Sequence, residues 1–173
     1  MALRTLGVAA ALVAALGAAP AVAGAASSPA ASPSAQDVAY LQAAHQSNLL
    51  GVATGQQAQQ KGQSQQVKDL GGRFVTDNTR LDQSLQQTAS SLGVPLAPAD
   101  AARQATARLD KVPDRQYDRV WIPVQQGANT AAMANGQREI TKGSDPAVKQ
   151  DATAAAPVLD EHQRLLNQAT SQL

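Results

Sequence analysis

The sequence predicts an all-α protein, an antiparallel four-helix bundle with a short extra helix in the connection between its second and third helices. Three observations carry this. Apolar residues recur at alternating three- and four-residue steps through four long segments. Glycine, proline and polar cap residues stand between those segments. No segment keeps the apolar–polar alternation of a half-buried strand. Four helices with one stripe each and mostly short connections bury those stripes best against one another.

The first helix is expected over residues 37–61, with Val38, Leu41, His45, Asn48 and Val52 on its stripe. Gly62 ends it and Ser64 is placed to cap the next. The second carries Val67, Leu70, Phe74, Asn78, Leu81, Leu85 and Leu92 until Gly93 and Pro95 stop it. Residues 99–110 form a looser pattern, the short bridging helix, in a connection long enough to cross the bundle. Pro113 is expected to open the third helix, which runs to about Lys142 with Ile122, Gln126, Asn129, Met133 and Ile140 inward. Gly143-Ser144-Asp145-Pro146 then reads as a stop, a polar N-cap and a proline in the first turn. The fourth helix has the clearest period, from Val148 through Ala152, Ala155, Leu159, His162, Leu166 and Ala169 to Leu173. Pro123 and Pro157 each remove an intrahelical hydrogen bond and predict bends. Gly51-x-x-x-Gly55 and Gly71-Gly72 read as close packing, and the glutamine pairs Gln56-Gln57, Gln59-Gln60 and Gln65-Gln66 as wet helix surface.

The N-terminus predicts the compartment. Arg4 precedes an apolar run from Leu6 to Ala19, too short to anchor in a bilayer, and Ala21-Val22-Ala23 has the A-x-A form of a cleavage site. Residues 1–26 therefore read as a secretory signal peptide cleaved after Ala23 or Ala26, residues 27–35 as a flexible Ser/Pro/Ala spacer, and residues 36–173 as the bundle domain. The expected product is an exported bacterial protein, in the cell envelope or outside the cell. Loss of Arg4 leaves 13 basic and 13 acidic residues, scattered singly, so nucleic acid is not an expected partner. With no cysteine, stability must come from packing. Nothing after the signal is long and apolar enough to be a transmembrane segment. The expected partner is a protein or an envelope component, of a kind that the sequence leaves open together with the oligomeric state.

Four polar side chains fall where the periodicity wants apolar ones: His45, Asn78, Asn129 and His162. Buried polar groups need hydrogen-bond partners. One reading makes the histidines satisfied core residues and the asparagines register-setting ones. The sharper reading brings all four to one small polar pocket, with His162 as the anchor of a bound ligand. Ser47 and Ser84 come with no nucleophile elbow, so no catalytic residue and no cofactor are expected.

Several of these positions lie in motifs. Phe74-Val75-Thr76-Asp77-Asn78-Thr79 resembles an F-x-x-D-H-T element, and Tyr117-Asp118-Arg119-Val120-Trp121 an F-D-R-x-Y element. Gly143 to Lys149 resembles G-x-D-P-x-[LV]-K, and Ala156 to His162 is similar to L-P-x-L-x-x-H. In order and spacing these resemble a family of exported bacterial proteins, domain of unknown function 4142, often labelled outer-membrane proteins. The resemblance implies a ferritin-like four-helix bundle. It also exposes departures: the family carries glutamate where this chain has Gly51, and histidine where it has Asn78 and Asn129, so only His162 matches.

A di-iron carboxylate centre needs two glutamates from separate helices and two Glu-x-x-His pairs. This chain has only Glu139 and Glu161 and no Glu-x-x-His, and amides are poor ligands for zinc or copper. The expectation is a non-enzymatic bundle with a structural or interaction role. The alternative is a ferritin-like metal- or small-ligand-binding protein with a degenerate site centred on His162.

Overall fold

The structure, a computed structural model, describes residues 32–173; the signal segment and the spacer up to residue 31 lie outside the described residues. Five α-helices follow in order: α1 Ala35–Lys61, α2 Gln65–Ser91, α3 Asp100–Leu109, α4 Tyr117–Lys142 and α5 Pro146–Thr170. Among the described residues there is no strand, and no helix is long and apolar enough to cross a membrane.

The caps explain the boundaries. Ser34 accepts from the Asp37 N–H while the Asp37 carboxylate takes the Ser34 N–H, a reciprocal capping box. Ser64 accepts from Val67 N–H, and Asp145 from Ala147 and Val148 N–H with Pro146 in the first turn. Asp118, in the first turn of α4, accepts from Gln63 N–H at 2.9 Å and Ser64 N–H at 2.8 Å, tying the turn between α1 and α2 to α4. Gly93, with φ +66°, ends the α2 turn in the left-handed region.

Two apolar clusters fix the helix directions. One joins Tyr40 and Leu41 of α1, Leu85 and Ala89 of α2, and Val148 and Ala152 of α5, with Ile140 of α4 packed on it. The other joins Ala58 of α1, Val67, Leu70 and Phe74 of α2, Tyr117, Trp121 and Ile122 of α4, and Leu166 and Ala169 of α5. α1 and α5 therefore run from the first cluster to the second, and α2 and α4 run back. The connection through α3 returns along α1, held by α1 side chains. Gln46 Nε2 donates to Ala97 O at 2.9 Å, Gln57 Nε2 to Thr106 O at 3.2 Å, and Lys61 Nζ to Asp110 O at 3.0 Å.

Several sequence expectations need correction. Pro113 does not open α4: its extended backbone (ψ 138°) leads into a 3₁₀ turn, Asp114–Gln116, and the helix starts at Tyr117. On α4 the buried polar and small positions include Gln125, Asn129, Gly136 and Glu139. Gln126 turns outward, while Met133 is half-buried and Ile140, also half-buried, packs on the first cluster. Trp121 and Gln125 both reach Thr54 of α1 and set that facing, which turns Gln126 outward to Asn167 and Thr170 of α5. Leu173 lies beyond α5 and is 45% exposed. Gln57 is buried, since it holds the α3 connection. Pro123 and Pro157 sit inside α4 and α5 on exposed positions, where the missing N–H opens no apolar core.

The small-residue motifs are packing devices. A Cβ on Gly55 would stand 2.7 Å from Gly71 O, and one on Gly71 2.6 Å from Gly55 O, so α1 and α2 touch backbone to backbone. Gly55→Ala is expected to destabilise the fold by about 2 kcal/mol, because backbone cannot yield as a side-chain tip can. Urea denaturation measures it, and an unchanged midpoint would disprove this close contact. At Gly136, by contrast, a Cβ meets nothing within 4 Å.

Candidate functional site

His162 is 1% exposed, its Nε2 3.0 Å from Asp77 Oδ2. Its ring stacks on Phe74 at 4.1 Å between centroids, and Phe74 meets Trp121 edge-on at 5.8 Å. Burial lowers the His162 pKa and the Asp77 hydrogen bond opposes the shift, with a net fall. The imidazole is thus held neutral at neutral pH. Asn78 donates to Phe74 O at 2.8 Å, and Asn129 donates to Leu159 O at 2.9 Å and Gln163 Oε1 at 3.1 Å. Gly51 faces Asn78, and a Cβ there would collide with the amide.

His162, Asn78 and Asn129 do come together, with Gly51 and Gln125, around a cavity of about 10 Å³, room for no more than a water molecule. His45 is not on its wall. The His45 Nδ1 instead lies 2.7 Å from Asp82 Oδ1, and Gln86 Nε2 donates to the other Asp82 oxygen at 2.5 Å. Asp82 is buried where the stripe suggested Leu81, because His45 gives the carboxylate a partner. Each of the four predicted residues thus has a hydrogen-bond partner within the fold.

The residues do not fit a di-iron centre. Among the described residues no three of His, Asp and Glu are grouped so as to hold a metal ion. Glu161 is at the surface with both oxygens 2.7 Å from Arg164, and Glu139 lies at the far end of the helix beside Asp37. The place facing Gly51 is filled by the Asn78 amide.

That far end holds a second buried cluster. Asp37 and Glu139 are both fully buried. Asp37 accepts from Ser34 N–H and Oγ–H at 2.7 Å each, from Ser144 N–H at 2.8 Å and Oγ–H at 2.6 Å, and from Asp145 N–H at 3.2 Å. Burial raises its pKa, but the hydrogen bonds from Ser144, Ser34 and Asp145 outweigh it and hold the carboxyl well below its usual range. Glu139 has one donor, Gln36 Nε2 at 3.1 Å on Oε2, while its Oε1 is buried without a partner. Burial, with the charge of Asp37, pushes it up to about 7. Gly143 is glycine because a Cβ would collide with this carboxyl, and its extended backbone (φ −63°, ψ 155°) is open to any residue.

A larger cavity, about 490 Å³, opens between the four long helices on the side of the His45 turn. Tyr40, Ala44 and Asn48 of α1, Leu81 and Leu85 of α2, Ala128, Ala132 and Gly136 of α4, and Ala155 and Leu159 of α5 form its wall, which is mostly apolar. Asp151 lies on the same wall. Its Oδ1 accepts from Ser84 Oγ–H at 2.8 Å, and its Oδ2 is buried without a partner. Sequence reading missed this site, whose signal was the run of small residues on α4 and α5 opposite larger ones on α1 and α2. It also missed Asp77 and Asp82, although Asp77 stood inside a motif.

Among known protein families, the model for Domain of unknown function (DUF4142) matches residues 21–169. No curated protein and no solved structure matches the chain.

Proposed function

Because this chain belongs to the DUF4142 family, whose description states no activity, we propose its function from the geometry: an exported, non-enzymatic helical bundle that acts by binding a small apolar molecule. The cavity of about 490 Å³ carries this reading. It lies within the roughly 300–1,000 Å³ of small-molecule sites and has the apolar wall with few polar groups that such sites show. The reading shifts ligand binding away from His162, whose surroundings are closed and internally hydrogen-bonded. Export rests on the Arg4, apolar-run and A-x-A pattern of residues 1–26, and the envelope or its exterior is the proposed place of action. A ferritin-like arrangement is supported by the helix directions, two antiparallel pairs joined by one long crossover along α1.

Isothermal calorimetry with 1-octanol tests the cavity. Saturable binding at one site is expected, weakened about tenfold or more in Gly136→Leu, whose side chain enters open space on the cavity wall. No binding to the parent protein, or undiminished binding to a folded Gly136→Leu, would refute it.

A further inference from the structure

We infer that the ligand of this cavity is an amphiphilic amine, an apolar body carrying a protonated amino head that docks on Asp151. The inference rests on the proposed binding role of the cavity and adds the chemistry of its occupant.

The wall of the cavity is apolar over most of its extent, but the Asp151 carboxylate interrupts it on α5. One oxygen of that carboxylate accepts from Ser84 and the other is covered by protein atoms. Among the described residues no Lys, Arg or His forms an ion pair with it. A carboxylate with no cationic partner on an apolar wall attracts a charged N–H donor more strongly than a neutral one, because the apolar surroundings screen its charge less than water does. Tyr40, also on the wall, lies close enough to Asp151 for that charge to add to burial in raising its hydroxyl pKa. Asn48 and Asn135 add amide groups to the same wall and can orient a polar head.

The cation on the wall, Arg80, does not fill this role. Its side chain is 70% exposed and its guanidinium is 3.8 Å from Asp77, so its charge is solvated and turned to Asp77. An anionic head is therefore disfavoured within, where a carboxylate already sits unpaired, and a neutral head forgoes the charge-assisted bond. An alkylammonium head satisfies Asp151 while its chain lies along the alanines and leucines.

Calorimetry with octylammonium, 1-octanol and octanoate, on the parent protein and on Asp151→Asn, tests the head group. The parent is expected to bind octylammonium about tenfold or more tighter than octanol, and octanoate weakest. In Asp151→Asn the preference for the ammonium over the alcohol is expected to vanish while octanol binding persists, which also shows that the variant is folded. Equal binding of octylammonium and octanol by the parent would overturn the amine assignment and leave the cavity reading standing. An ammonium preference that survives Asp151→Asn would overturn the role of Asp151. Failure of all three probes on the parent would overturn the cavity reading itself.

Discussion

Glu139→Gln is expected to stabilise the protein by about 3 kcal/mol at pH 8 and to leave it unchanged at pH 4. Burial, reinforced by the neighbouring charge of Asp37, pushes the Glu139 carboxyl up from 4.5 to about 7. Between those values the folded chain holds a proton that the unfolded chain releases, so stability falls as the pH rises through that window and levels off above it. Glutamine has the shape of the neutral acid and no charge to desolvate. It keeps a carbonyl oxygen for Gln36 and offers an N–H to Asp37. Urea unfolding of both proteins at pH 4, 6 and 8 measures the difference. His162, whose burial-lowered pKa makes stability fall as the pH drops below its ordinary 6.5, contributes equally to both proteins and cancels. A difference that does not change with pH would show that Glu139 carries no proton-linked strain.

Asp37→Ala is expected to act in the opposite direction, with a loss of about 3 kcal/mol or more at pH 7. The carboxylate takes three backbone N–H groups, of Ser34, Ser144 and Asp145, and so holds the start of α1 against the start of α5. Alanine leaves these donors buried without an acceptor and removes a negative charge from two helix N-termini. Since the folded pKa is depressed, this stabilisation is complete above the ordinary carboxylate value of 3.8 and is lost as the pH falls toward the folded one. The urea midpoint at pH 7 tests it, and a shift of under 1 kcal/mol would contradict the bridging role. The two substitutions are expected to be non-additive. Removal of Asp37 relieves part of the charge acting on Glu139, so Glu139→Gln gains less in the Asp37→Ala background.

These two residues show what periodicity leaves out. Asp37 stands at the start of the predicted first helix, off its apolar stripe, and Glu139 enters the sequence analysis only in the count of possible iron ligands. Both prove to be buried, because the turn that follows α4, more than a hundred residues from Asp37 in sequence, brings Ser144 and Asp145 against Asp37 beside Glu139. The polar stripe residues were legible in part. The spacing of Asn78, Asn129 and His162 placed them inward, and they do share one small cavity. His45 has the same spacing, yet it stands against Asp82 and belongs to a different contact.

The sequence by itself determined the helix boundaries to within a few residues, the short helix in the connection, and the caps at Ser64 and Asp145. These follow from local physics: which residues satisfy the free N–H groups of a first turn, where glycine and proline stop a helix, and a period that needs only neighbours along the chain. The tertiary structure decided which neighbour on α4 turned inward, Gln125 rather than Gln126, and which acid each histidine met. It also decided that the chain's open space lies among alanines beside Asp151 and not around His162. Those outcomes depend on side-chain volumes summed across four helices, and no stretch of one helix encodes how much room the other three leave.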